Sequence, residues 1–193
     1  VLADLGVTEE TMKCPIISSM EVVEVGRLEN GLAVLIDKEA YEADGIIVVN
    51  RVKPHTAFRG PCESGLAKMI TIGLGKQKGA DSCHAYSFKH MAEHVLRMAE
   101  IKLKKTKIIF GVGTVENAYD KVARIFAVTP EELIEVDQKM LIEARARMGR
   151  IMFDQIDVLV VDQLGKEISG DGMDPNITGR YPTPDASGGP DVN

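Results

Sequence analysis

Residues 46–84 read IIVVNRVKPHTAFRGPCESGLAKMITIGLGKQKGADSCH and hold the side chains best suited to chemistry: His55, Lys68 and His84 around a short glycine-bearing segment. An imidazole changes charge near neutral pH, so it can move protons or ligate a metal. A lysine among apolar neighbours can lose its proton to desolvation and become a nucleophile. Each also has a plain reading. A loop histidine ordinarily makes surface or hydrogen-bonding contacts, a lysine on an apolar helix snorkels to solvent, and His84 could simply open a helix. Composition alone does not choose between these.

Other groups are candidates too. His90 and His94 lie four apart on an expected helix, share a face and could bind a metal. They lack the glutamate placement of a zinc-protease helix. Gly73-x-Gly75 with Lys76 and Lys78 could hold a phosphate through amides and charge, although the spacing is not that of a Walker loop. Arg59 could grip a carboxylate with its fork or serve only the surface. Lys166, Asp171 and Asp174 sit in a Gly-rich loop that could face a cleft. Cys62 and Cys83 flank the candidate site without marks of a nucleophile.

The elements that must position these groups alternate between strand and helix. Residues 14–25 read as extended, Asn30-Gly31 is a strong turn signal, and a short strand follows near 32–36. A short helix is expected over 38–44. Residues 45–50 (GIIVVN) read as a buried strand ending in a polar residue, and in open α/β sheets ligands gather at such ends. The loop 51–63 leads into an apolar helix over 64–74, a polar stretch over 76–81 and a long helix over 84–103. Strands are expected at 107–112 and 121–128. Thr129-Pro130-Glu131-Glu132 carries a capping box, predicting a helix from there to about Met148. Residues 156–161 (IDVLVV) read as another buried strand. The class is α/β, and a boundary falls near 149–154. That divides the chain into a larger α/β domain over 1–150, bearing His55, Lys68 and His84, and the start of a second over 154–193.

The bulk composition narrows the function. With 23 Lys and Arg against 29 Asp and Glu, the net charge of -6 gives no general attraction to nucleic acid or an anionic membrane. No apolar run approaches about 18 residues, so no spanning segment or signal peptide is expected. Three widely spaced cysteines suggest no disulfide framework and suit a reducing cytoplasm. The chain starts without Met and ends in a turn-like stretch, as a piece of a longer protein would.

The 46–84 stretch resembles the active-site segment of the nickel-pincer lactate racemase family. Pro54-His55 follows the strand, Ser64-Gly65-Leu66-Ala67-Lys68 is similar to the family's Ser-Gly-Gly-x-Lys, and His84 stands where its nickel-binding histidine would. The strand pair 107–128 resembles the next hairpin, and Ser187-Gly188-Gly189 a turn in the second domain. The resemblance implies a two-domain architecture with mixed sheets, the second domain only partly present. It implies racemisation or epimerisation of a 2-hydroxyacid, with hydride passing to and from a nickel pincer nucleotide, the nickel complex of pyridinium-3,5-bisthiocarboxylic acid mononucleotide. Lys68 would hold that cofactor covalently, His84 would ligate nickel, and His55 would exchange the substrate hydroxyl proton. Partners would be the hydroxyacid and the cofactor-synthesis enzymes.

The sequence departs from the family's pattern at several points. The loop between His55 and Lys68 is about three residues longer than in lactate-specific enzymes, Leu66 replaces the second glycine, and 164–176 (LGKEISGDGMDPN) has no clear counterpart. An upstream His-Arg motif would lie before Val1, so this stretch alone is expected to be inactive. The alternatives are a catalytically inactive relative that binds a metabolite or an iron–sulfur centre, and an interaction domain without a small-molecule site.

Overall fold

The computed structural model describes residues 2–153, 155–165 and 172–186. Lys166, Asp171 and the Ser187-Gly188-Gly189 turn lie outside the described residues.

A short helix, α1 (Glu9–Met12), precedes a two-stranded antiparallel hairpin of β1 (Val22–Arg27) and β2 (Ala33–Asp37). Asn30-Gly31 makes its turn: Gly31 takes φ of 85°, where a side chain would be strained, and its N–H donates to the Leu28 carbonyl at 2.9 Å. Helix α2 (Lys38–Glu42) follows directly, its first turn capped by Asp37 accepting from the Ala40 N–H.

The second sheet is mixed, in the order β3-β4-β5. Strand β3 (Ile46–Arg51) runs parallel to β4 (Ile108–Glu116), which pairs antiparallel with β5 (Val122–Val128). The connection from β3 to β4 carries α3 (Leu66–Lys68), a π turn over Met69–Gly73, α4 (Lys76–His84) and α5 (Met91–Lys105). Helix α6 (Leu133–Arg147) and the short α7 (Pro175–Thr178) complete the described elements. The fold is α/β with mixed strand pairing, as expected. The core lies where α3, α4 and α5 cover one face of the strands, with Ile36, Val48, Phe58, Leu66, Ile70, Val95 and Met98 all buried.

Several expectations are corrected. Residues 76–84 are helical, and the long helix starts at Met91 rather than 84, after a 3-10 turn at Phe88–His90. Apolar periodicity is weak in α4 because only Gly79 and Cys83 are buried on it. Strand β3 is buried on one face only, since Ile47 and Val49 are 50% and 62% exposed. Helix α6 begins three residues after Pro130. Glu132 is its N-cap but its side chain caps nothing, because Thr129 to Glu132 form a turn instead. Residues 156–161 form no strand and are exposed, Val158 and Val160 at 80% and 83%. An apolar run becomes a strand only when a neighbouring strand takes its hydrogen bonds, and no described residue pairs with it. The extended reading of 14–25 holds as a strand only from Val22.

Candidate functional site

The site is built where β3 ends. Asn50 donates from Nδ2 to the Gly65 carbonyl at 2.9 Å, and Lys53 and Ser64 exchange backbone hydrogen bonds at 2.7 and 3.2 Å. The 51–65 loop is thereby closed at its base. Beneath it lies Glu63, 1% exposed, accepting from the backbone N–H of His55 at 2.8 Å and of Gly60 at 3.1 Å. Arg145 from α6 bonds the same carboxylate, and Arg59 lies 3.6 Å from it. A buried carboxylate needs such partners, and here its partners fix the backbone that carries His55.

Lys68 is positioned by a second buried acid. Asp137 of α6 is 1% exposed and accepts from the Leu66 and Ala67 N–H groups at 2.9 and 3.1 Å. It therefore caps α3 from 70 residues away, doing what a local N-cap side chain usually does. Burial raises the Asp137 pKa, opposed by those two N–H groups. A side chain on Gly65 would place Cβ 2.3 Å from Asp137 Oδ1, so the glycine of the Ser-Gly motif is required by close approach. Below Lys68, the π turn is gripped by buried Lys102, which donates from Nζ to the Ile70 and Thr71 carbonyls at 2.8 and 2.9 Å. Burial brings the Lys102 pKa down to about 7.

Burial pushes the His55 pKa down to about 3, reinforced by the positive charges of Lys68, Lys53 and His84. The Lys68 amine is lowered to about 8, first by burial and then by Lys53. Among the described residues no carboxylate pairs with it. Its ammonium lies 5.9 Å from the Phe58 ring centre, and that ring packs on His55 at 4.4 Å. His55 Nδ1 accepts the Ala57 N–H at 3.0 Å, so the neutral ring carries its proton on Nε2. His84 ends α4 and is exposed. Its Nδ1 lies 2.7 Å from the Ala80 carbonyl, which can only accept, so in the neutral ring Nε2 is the nitrogen with the lone pair.

Other candidates fall elsewhere. Arg59 is committed: it bonds Asn176 and Tyr181 and lies 4.8 Å over the Tyr181 ring. Lys76 pairs with Asp37 at 2.6 Å, which leaves only exposed Lys78 from the phosphate-cradle reading. Cys62 and Cys83 are buried, with thiols held protonated by burial, Cys83 at about 11. Asp174 caps α7 by accepting from Asn176. The sequence reading missed Lys53, Glu63, Asp137 and Asn176. Lys53 and Glu63 flank the highlighted loop and could have been suspected as charges in an apolar setting; nothing local signals the other two.

Residues 9–95 match the model of the lactate racemase N-terminal domain. Over that stretch, less than half of its length, the chain is similar to this domain. The structure of the lactate racemase apoprotein from Thermoanaerobacterium thermosaccharolyticum is similar with a TM-score of 0.52 and 18% identity, over 69% of this chain and 35% of that one. At that identity the likeness speaks for the fold. This chain thus spans about a third of the length of that protein. A comparison with curated proteins finds no match. No helix of the described residues is long and apolar enough to cross a membrane.

Proposed function

We propose that this chain carries the cofactor-binding core of a nickel-dependent 2-hydroxyacid racemase or epimerase. The reading is supported by the positive charges of Lys68 and His84 both acting on His55, and by the Phe58 ring, which packs on His55 and lies near the Lys68 ammonium. The same proposal takes residues 1–150 as the larger domain and 154–193 as the start of a second.

The residues suit a nickel pincer nucleotide. Lys68 offers an amine with a lowered pKa and no carboxylate partner among the described residues. His84 offers an Nε2 lone pair from a ring whose other nitrogen is anchored, and imidazole suits divalent nickel. When bound, that group would supply a reversible hydride acceptor. Lys68 would hold it and His84 would ligate its metal.

The remaining work falls to the protein. Lys53 brings positive charge to His55, while Glu63 is already taken up by two N–H groups and two arginines. That balance suits a substrate carboxylate. The neutral His55 ring donates a hydrogen bond from Nε2–H to a substrate oxygen. Taking the hydroxyl proton falls to the Nδ1 lone pair, which requires Nδ1 to release the Ala57 N–H and the ring to turn. The iron–sulfur alternative finds no donor set, because no three His, Cys, Asp or Glu gather for a metal among the described residues.

The reading is tested by chiral chromatography of single-enantiomer 2-hydroxyacids incubated with protein made beside the cofactor-synthesis enzymes. Inversion that disappears in Lys68→Ala and His84→Ala is expected. Inversion that survives both changes, or none across a panel of hydroxyacids and sugar acids, overturns it.

A further inference from the structure

A cavity of about 580 Å³ opens between the β1–β2 turn and α5, and none of His55, Lys68 or His84 lines it. Its wall includes Asn30, Tyr86, His90, Glu93, His94 and Arg97. The two histidines are the helical pair noted in the sequence, which the function proposed above leaves unused.

His94 is 4% exposed and its tautomer is fixed. Nδ1 lies 3.1 Å from the Cys83 carbonyl, which can only accept, so Nδ1 carries the proton and Nε2 the lone pair. Among the described residues the one polar contact at Nε2 is long, 3.4 Å to the side-chain amide of Asn30 on the exposed turn. His90 stands one helical turn earlier with its ring stacked on His94 at 25° and 6.0 Å between centres. It is exposed and its ring touches only Tyr86 and His94 among the described residues. The ring can therefore turn its own Nε2 toward that of His94 at little cost.

The charges around the pair favour a cation. Glu29 and Glu93 line the cavity without ion pairs among the described residues, whereas Arg27 is held by Glu24 and the Gly31 carbonyl, and Arg97 faces Glu100 at 3.8 Å. An anchored imidazole, a second one stacked on it at the N-cap of α5 and unneutralised carboxylates match the chemistry of a borderline divalent metal.

We propose that His90 and His94 form a second metal site, separate from Lys68 and His84, which takes a zinc-class divalent ion through two imidazole nitrogens with water completing its shell. The ion ties the 3-10 turn ending at His90 to the first turn of α5 and sits against the hairpin turn.

The test is calorimetric titration of zinc chloride into the His84→Ala chain, which removes the other candidate ligand. A one-to-one isotherm is expected. It weakens about tenfold or more when the exposed His90→Gln change is added, with the thermal melt unchanged. Nitrogen NMR of the rings should show Nε2 of both His90 and His94 shifting with zinc. An absent isotherm, an isotherm indifferent to His90→Gln, or a His94 ring that does not respond overturns the proposal.

Discussion

Gly65→Ala isolates the contact that seats Lys68. Gly65 has φ of -171° and ψ of -155°, extended backbone that alanine adopts, so the substitution carries little conformational cost of its own. The added Cβ would meet Asp137 Oδ1 at 2.3 Å and Oδ2 at 2.8 Å. The carboxylate must withdraw from the Leu66 and Ala67 N–H groups. Two charge-assisted hydrogen bonds are worth about 1.5–3 kcal/mol each. Partial relaxation brings the expected loss to about 3–4 kcal/mol by urea denaturation followed by circular dichroism. In an Asp137→Ala background the obstacle is gone. The same change should then be neutral or stabilise by up to about 1 kcal/mol, because alanine restricts the unfolded chain. The coupling between the two positions is therefore the quantity of interest. A cost under about 1 kcal/mol in the native chain, or an equal cost in both backgrounds, would refute the cap from α6.

Further outcomes are expected. His55 stays neutral in the folded chain down to about 3 but protonates at its ordinary 6.5 when unfolded. The unfolded state thus binds more protons between those values, and the stability contributed by the neutral ring, full above 6.5, drains as pH falls. Urea melts at about pH 7 and about pH 5 should differ by up to about 2 kcal/mol from this group, and His55→Gln should flatten the slope. Lys68→Met removes a neighbouring charge and should raise the His55 pKa, read from its ring proton shifts. Lys102→Met leaves the Ile70 and Thr71 carbonyls without their buried donor and should cost about 2–4 kcal/mol in thermal or urea melts.

Local signals in the sequence carry local structure. Asn30-Gly31 turns where a positive φ is required, β3 ends where its polar residue delivers the loop, and the β4–β5 pair follows its apolar runs. Contacts made across the chain were not legible. Nothing around Asp137 marks it as the cap of a helix 70 residues earlier. The sequence leaves Arg59 open as a substrate ligand, while the fold spends it on Asn176 and Tyr181 of a distant segment. Residues 156–161 have strand composition but no strand beside them. Helix α4 hides because a helix that buries two small residues shows no apolar stripe. At the site, residue types and spacing singled out His55, Lys68 and His84. Only the fold reveals that Lys53 stands among them and that Glu63 holds the His55 backbone.

Intact mass spectrometry with nickel analysis, on protein produced alongside the cofactor-synthesis enzymes, tests the Lys68–His84 pairing most directly. One covalent adduct of the pincer nucleotide per chain is expected, mapped to Lys68 by peptide sequencing and lost in Lys68→Ala. His84→Ala should keep the adduct and lose the nickel. An adduct at another residue, or nickel retained without His84, would contradict the assignment of these two side chains to one cofactor.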